Sequence, residues 1–114
     1  MTSRMMPETD LARIRRWALH TFPHRPDDGL RIALEVGDRH VTIVEQRPPM
    51  DDVTSPDWDS EPVARLTYVL SRQAWTLSIA TWDGRFTRYR PLPSGPLEDL
   101  LAEIDEDPTF IIWG

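Results

Sequence analysis

The chain contains no cysteine, no lysine and no asparagine. The first absence excludes disulfides, thiolate metal sites and cysteine nucleophiles. Loss of Lys and Asn together, both products of AT-rich codons, points to a GC-rich bacterial genome. All thirteen basic residues are consequently Arg, so arginine fills every basic role and is a weaker sign of bidentate recognition than usual. No apolar run approaches the ~18 residues of a membrane span, and Met1 to Asp10 lacks the apolar stretch of a secretory leader. A cytoplasmic protein is expected. Also missing are a phosphate-cradling glycine loop, a Ser-His-Asp order and a distinct pair of catalytic carboxylates. No catalytic constellation is recognised, an enzyme is the less expected class, and no cofactor is implied.

What is present suits one small domain. A chain of 114 residues buries roughly 65% of its unfolded surface, enough for a core without staples. The net charge of −6 argues against a general nucleic-acid binder, though not against a local basic patch.

Residues 1–7 read as a flexible N-terminus and 8–114 as a single α+β domain. Thr9 suits an N-cap, with Asp10 in the first turn where the helix dipole favours an anion. Leu11, Ile14, Trp17, Ala18 and Phe22 follow at helical spacing, with Arg13, Arg16 and His20 on the opposite face. Pro23 and Pro26 end this helix.

Leu30 to Val36 and Arg39 to Gln46 both alternate, around a two-residue turn signal at Gly37-Asp38. The implied register sets Leu34 against Val41, Ile32 against Ile43, and Glu35 against His40. Residues 47–61 form a proline-rich acidic loop long enough to suggest function or mobility. Val63–Leu70 and Ala74–Thr81 make a second hairpin around Ser71-Arg72, pairing Ala64 with Ile79, Leu66 with Leu77 and Tyr68 with Trp75. The third hairpin turns at Asp83-Gly84. A two-residue turn would bury Arg88 and Arg90, at several kcal/mol unless both are paired. A three-residue loop with a left-handed Gly84 in a bulge instead places Thr87 by Ile79 and Tyr89 by Leu77.

Ser94-Gly95-Pro96 opens a second helix with Pro96 at its first position. Its core stripe is Leu97, Leu100, Leu101 and Ile104, each worth ~1.5–3 kcal/mol when buried. Pro108 stops it. The tail Phe110–Trp113 is too apolar for water and should join the sheet or plug its end. The expected fold is therefore an N-terminal helix, a five-stranded antiparallel sheet in three hairpins, a C-terminal helix and a short apolar tail. The helices should cover one sheet face.

Glu45-Gln46-Arg47-Pro48-Pro49, then Pro62-Val63-Ala64-Arg65-Leu66 with Tyr68, then Trp75 with Leu77, resemble the bacterial domain of unknown function 3024. Phe86-Thr87-Arg88-Tyr89, Ile104-Asp105 with Asp107-Pro108, and the closing Trp113-Gly114 extend the resemblance over residues 30–114. Gln46 and Phe86 stand where that pattern more often has Arg and Trp. The resemblance implies membership of the family and brings no activity, cofactor or partner with it.

The registers create one chemical surface. Arg65, Ser78 and Arg88 should line up on the outer sheet face, with Thr67, Thr76 and Arg90 in the neighbouring row. Guanidiniums among hydroxyls suit phosphate or carboxylate, and Phe86 or Trp82 could stack a base. The plainer alternative is a solvated face paired with the protein's own acids. Glu45 and Arg47, two apart on one strand, read as a structural ion pair fixing the loop rather than an acid/base device. Asp105, Glu106 and Asp107 crowd a helix C-terminus, where the dipole disfavours anions, and arginines are the expected compensation. Asp105 and Asp107 with Asp57 and Asp59 lack ordered ligand spacing, so no metal is assigned. His20 and His24 are separated by Pro23, which breaks the helix that would aim both at one ion.

The leading functional expectation is a small cytosolic protein-interaction module. It would dock through the acidic 47–61 loop, with Trp58 as aromatic anchor, or through the arginine face. The alternative is nucleic-acid or nucleotide binding by Arg65, Arg88 and Arg90. Exposed edge strands leave the oligomeric state open.

Overall fold

The computed structural model describes residues 5–21, 31–47, 59–109 and 111–113. Phe22, Pro23, His24, Pro26, Phe110 and the 48–58 part of the acidic loop, including Asp57 and Trp58, lie outside the described residues. The fold is α+β. Helix α1 (Glu8–Thr21) precedes strands β1 (Arg31–Val36), β2 (His40–Arg47), β3 (Asp59–Val69), β4 (Ala74–Ala80), β5 (Phe86–Arg88) and β6 (Ser94–Gly95), and helix α2 (Leu97–Glu106) follows. All strand pairs are antiparallel, in the order β1-β2-β3-β4-β5, with β6 also on β4.

Alternation decides which face is covered. Val41, Ile43, Ala64, Leu66, Tyr68, Trp75, Leu77 and Tyr89 form one buried cluster with Leu11 and Ile14 of α1 and Leu97, Leu100, Leu101 and Ile104 of α2. Both helices therefore pack on the same side. The Trp75 indole donates to Asp10 Oδ2 at 2.8 Å, tying α1 to β4. Tyr68 meets Trp75 edge-on at 5.3 Å between ring centroids, an arrangement worth ~0.5–1.5 kcal/mol beyond burial.

The second and third hairpins have the expected registers. Ala64, Leu66 and Tyr68 oppose Ile79, Leu77 and Trp75. Thr87 opposes Ile79, and Tyr89 N–H donates to the Leu77 carbonyl at 2.9 Å. Gly84 is left-handed at φ 82°. Its N–H bonds Thr81 O at 3.0 Å while Thr81 N–H bonds Arg85 O at 2.7 Å, which closes the three-residue loop with its bulge.

The first hairpin differs. Val36 opposes Val41, Leu34 opposes Ile43, Ile32 opposes Glu45, and Glu35 faces Thr42 rather than His40. The turn residues are Asp38 and Arg39, closed by Gly37 N–H on His40 O at 2.8 Å. Tertiary bonds hold that choice: Met5 N–H reaches Asp38 O at 2.8 Å and Tyr68 N–H reaches Arg39 O at 2.7 Å. The His40 ring also lies where a Cβ on Gly37 would come within 2.7 Å of it, so glycine makes the room.

Other element ends shift for local reasons. Helix α1 already includes Glu8, so Thr9 lies inside the first turn instead of capping it, and Leu11 N–H bonds Pro7 O at 3.1 Å. Just before it Met6 is buried, and Met5 N–H reaches the Asp38 carbonyl. Pro96 is the N-cap of α2 rather than its first residue, because Ser94 and Gly95 pair with β4 as a sixth strand. Among the described tail residues none joins a strand: Ile112 is buried, and the Trp113 indole donates to Ile104 O at 2.8 Å, folding residues 111–113 onto the end of α2.

Candidate binding face

The sheet face on which no described helix packs carries a row that crosses five strands: Glu35, Thr42, Arg65, Ser78 and Arg88. Arg65, Ser78 and Arg88 thus stand together as their spacing predicted. A bulge in β3 keeps this row in register. Val44 pairs with Pro62 and Ile43 with Ala64, which leaves Val63 as the extra residue and turns both Val63 and Ala64 into the core.

Arg65 is held by its neighbours. Its Nε donates to Thr42 Oγ1 at 2.9 Å, and its guanidinium carbon lies 4.1 Å from the centre of the Phe86 ring. The cation–π contact is worth ~0.5–2 kcal/mol and fixes the charge in the plane of the sheet surface. Arg88 is exposed and Ser78 half-buried between the two arginines. Strand spacing sets Arg65 and Arg88 roughly 10 Å apart at the backbone. In the next row, Thr76 is half-buried and its hydroxyl reaches Thr67 O at 3.4 Å.

Arg90 does not join that row. Ser94 takes the place opposite Thr76. Leu77 and Tyr89 form a hydrogen-bonded position, so the next such position would need an N–H from Pro91, and proline has none. The strand leaves after Tyr89, and Leu77 N–H bonds Pro93 O at 3.0 Å instead. Trp58, the expected loop anchor, lies outside the described residues. Arg47 Nη2 comes within 3.6 Å of Glu45 Oε1, with the arginine largely exposed. That pair sits where Glu45 also faces Glu61 across the strands, so Arg47 offsets a like-charge opposition.

Charge is uneven along the sheet. Outer positions of β3, β4 and β5 carry Arg65 and Arg88 and no acid, whereas five of the ten α2 residues are acidic. His40 registers the local field. Burial, and then the positive charge of Arg65, hold its imidazole below the ordinary value, against the opposing pull of Asp38. Beyond the row, Trp82 is 98% exposed at the tip of the β4–β5 turn. Asp83 fixes that tip by accepting from the Thr81 hydroxyl and, at 3.3 Å, from Arg85 N–H.

The acids of α2 find partners other than arginines of the face. Asp105 accepts the Trp17 indole N–H at 3.1 Å, Glu98 pairs with Arg13, and Glu103 accepts the Tyr89 hydroxyl at 2.6 Å. Asp107, buried and left-handed at φ 42°, accepts the N–H groups of Ile112 at 3.0 Å and Trp113 at 2.9 Å. Among the described residues, an indole meets Asp105 and backbone amides meet Asp107, where arginines were expected. Asp105 and Asp107 point to different partners, and among the described residues no three His, Asp or Glu groups gather around one point. Arg13, Arg16, Trp17, His20, Leu101 and Ala102 line an open groove of about 370 Å³ between the helices. Thr42, His40 and this groove are features that linear spacing did not disclose, because each depends on pairing across a long connection.

A model of the domain of unknown function DUF3024 matches residues 3–114. The chain belongs to the DUF3024 family. Neither a curated protein nor a solved structure matches it. The DUF3024 fold described above therefore stands on its own geometry, and its matched span includes every strand of the arginine row. Among the described residues, no helix is long and apolar enough to cross a membrane.

Proposed function

We propose that this DUF3024 protein is a cytosolic protein-interaction module that takes an acidic segment of a partner on the sheet face that carries the arginine row. Arg65 and Arg88 supply the charge, and Ser78 and Thr76 supply hydroxyl donors between and beside them. The carrying observation is local: the outer β3–β5 surface holds two arginines and no carboxylate in a chain of net charge −6. Pre-ordering of Arg65 on Thr42 and Phe86 supports the reading, since less side-chain entropy is lost on binding.

Nucleic acid fits this surface less well. The near face of Phe86 is already covered by the Arg65 guanidinium, which leaves Trp82 as the aromatic open to a base. A net charge of −6 also opposes a long polyanion.

The test compares an Asp/Glu-rich peptide with a single-stranded oligonucleotide by calorimetric titration at two salt concentrations. Peptide binding is expected, lost in the Arg65→Glu, Arg88→Glu double variant and kept in Arg90→Glu. Oligonucleotide binding with a steep salt slope and no peptide binding would transfer the face to the nucleic-acid reading. Absence of both would overturn the proposal.

A further inference from the structure

The edge strand β1 is built for a second copy of itself. Gly37 N–H bonds His40 O, so the positions exchanging backbone bonds with β2 are Glu35, Ala33 and Arg31. The N–H and C=O groups of Ile32, Leu34 and Val36 then point away from the sheet, toward a side where no other described strand lies. β1 is six regular residues without proline, glycine or bulge, and its two charges, Arg31 and Glu35, are of opposite sign. Its core-side residues Ile32, Leu34 and Val36 are only partly buried, while Val41 and Ile43 beside them are fully buried. Burial of the apolar layer thus decreases toward this edge.

The segment Arg31-Ile32-Ala33-Leu34-Glu35 reads as a charge palindrome. With a two-fold axis at Ala33, antiparallel pairing of two copies sets Arg31 opposite Glu35 twice and Ile32 opposite Leu34 twice. The hydrogen-bonded positions in that register are Ile32 and Leu34, the residues whose backbone groups point outward. Arg31 and Glu35 fall at the non-hydrogen-bonded positions, where side chains come closest. Arg31 Nε bonds Gln46 at 2.7 Å, and the five N–H donors of a guanidinium let it serve several acceptors at once. We propose that two chains join through β1 in this register, making one continuous sheet. Such an axis stands perpendicular to the sheet, so the arginine rows of both copies face the same way. The proposal is independent of what those rows bind.

Light scattering after size exclusion, across a dilution series, tests it with charge reversals. Wild type should dimerise reversibly. Glu35→Arg or Arg31→Glu alone should weaken the dimer by about tenfold or more, as both copies of the pair become repulsive. Mixing the two variants should restore association as a heterodimer, because each then carries the charge the other lacks. Circular dichroism of each variant reports its fold, and the mixing arm is read on the same two proteins. Amide exchange at Ile32 and Leu34 should be slow in the dimer and fast in either variant alone. A wild type that stays monomeric overturns the proposal, as does a dimer indifferent to both reversals or a mixture that does not associate.

Discussion

Replacing Asp107 tests the closure of the C-terminal tail, because one side chain performs three separable tasks there. It adopts a left-handed backbone at φ 42°, accepts Ile112 N–H at 3.0 Å and accepts Trp113 N–H at 2.9 Å, all while 5% exposed. Hydrogen bonds to a charged group contribute ~1.5–3 kcal/mol each. Asp107→Gly keeps the backbone easy and loses both bonds, for an expected cost of about 3 kcal/mol. Asp107→Ala loses the bonds and must also hold a Cβ in the left-handed region, adding ~1 kcal/mol. Asp107→Asn tolerates that region and keeps one acceptor oxygen, so it should cost about 1–1.5 kcal/mol. Against a total stability of ~5–15 kcal/mol, the alanine variant would be severely weakened. Urea titration followed by tryptophan fluorescence reads the series, with a midpoint shift of ~2 M expected for Ala at a slope near 2 kcal/mol/M. The order Asn, Gly, Ala is the decisive result. If all three fall within ~0.5 kcal/mol of wild type, or Ala costs no more than Asn, the tail is not held as described.

Tyr89 and His40 provide the pH-dependent predictions. Burial first, then the bond to Glu103, raise the Tyr89 phenol above its ordinary value. A raised folded value means a contribution complete below ~10 and lost as pH climbs through the folded value. Tyr89→Phe should cost about 1 kcal/mol at neutral pH and flatten the alkaline fall. Parallel alkaline losses in both proteins by urea melts would refute this. For His40, burial and Arg65 depress the value, so its contribution is present above ~6.5 and fades as pH falls through the folded value. Arg65→Ala should move the His40 titration upward in a proton NMR series, and an unmoved curve would show that the arginine field does not reach the imidazole.

The second and third hairpins were legible because two independent signals agreed there. Alternation chose the faces, and the cost of burying Arg88 and Arg90 chose the bulge at Gly84. The first hairpin was not, for a geometric reason. Moving the turn from Gly37-Asp38 to Asp38-Arg39 keeps every side chain on its face, so periodicity cannot separate the registers. Only Met5 and Tyr68, distant in sequence, decide between them. The Val63 bulge was hidden similarly, since β2 and β3 meet across the long acidic connection. Arg90 is different: Pro91 announced the end of the ladder, and that signal was available. Asp107 was recognisable as a turn residue, but its partners arrive from a tail that folds back on α2.

The two helices meet across long separations in the sequence. Trp17 and Asp105 are 88 residues apart, and Arg13 and Glu98 are 85 apart, whereas the second and third hairpins close through short turns. Within this domain α1 is made before α2, yet Leu11 and Ile14 share one buried cluster with Leu97, Leu100, Leu101 and Ile104 of α2. Leu11 and Ile14 therefore pass most of translation without α2 beside them. Pulse-labelled exchange during refolding would show this as late protection of α1 relative to β3 and β4, and early protection would contradict it. The helix made earlier in this domain is then the later one to be secured, and until α2 docks part of its apolar stripe has no partner there.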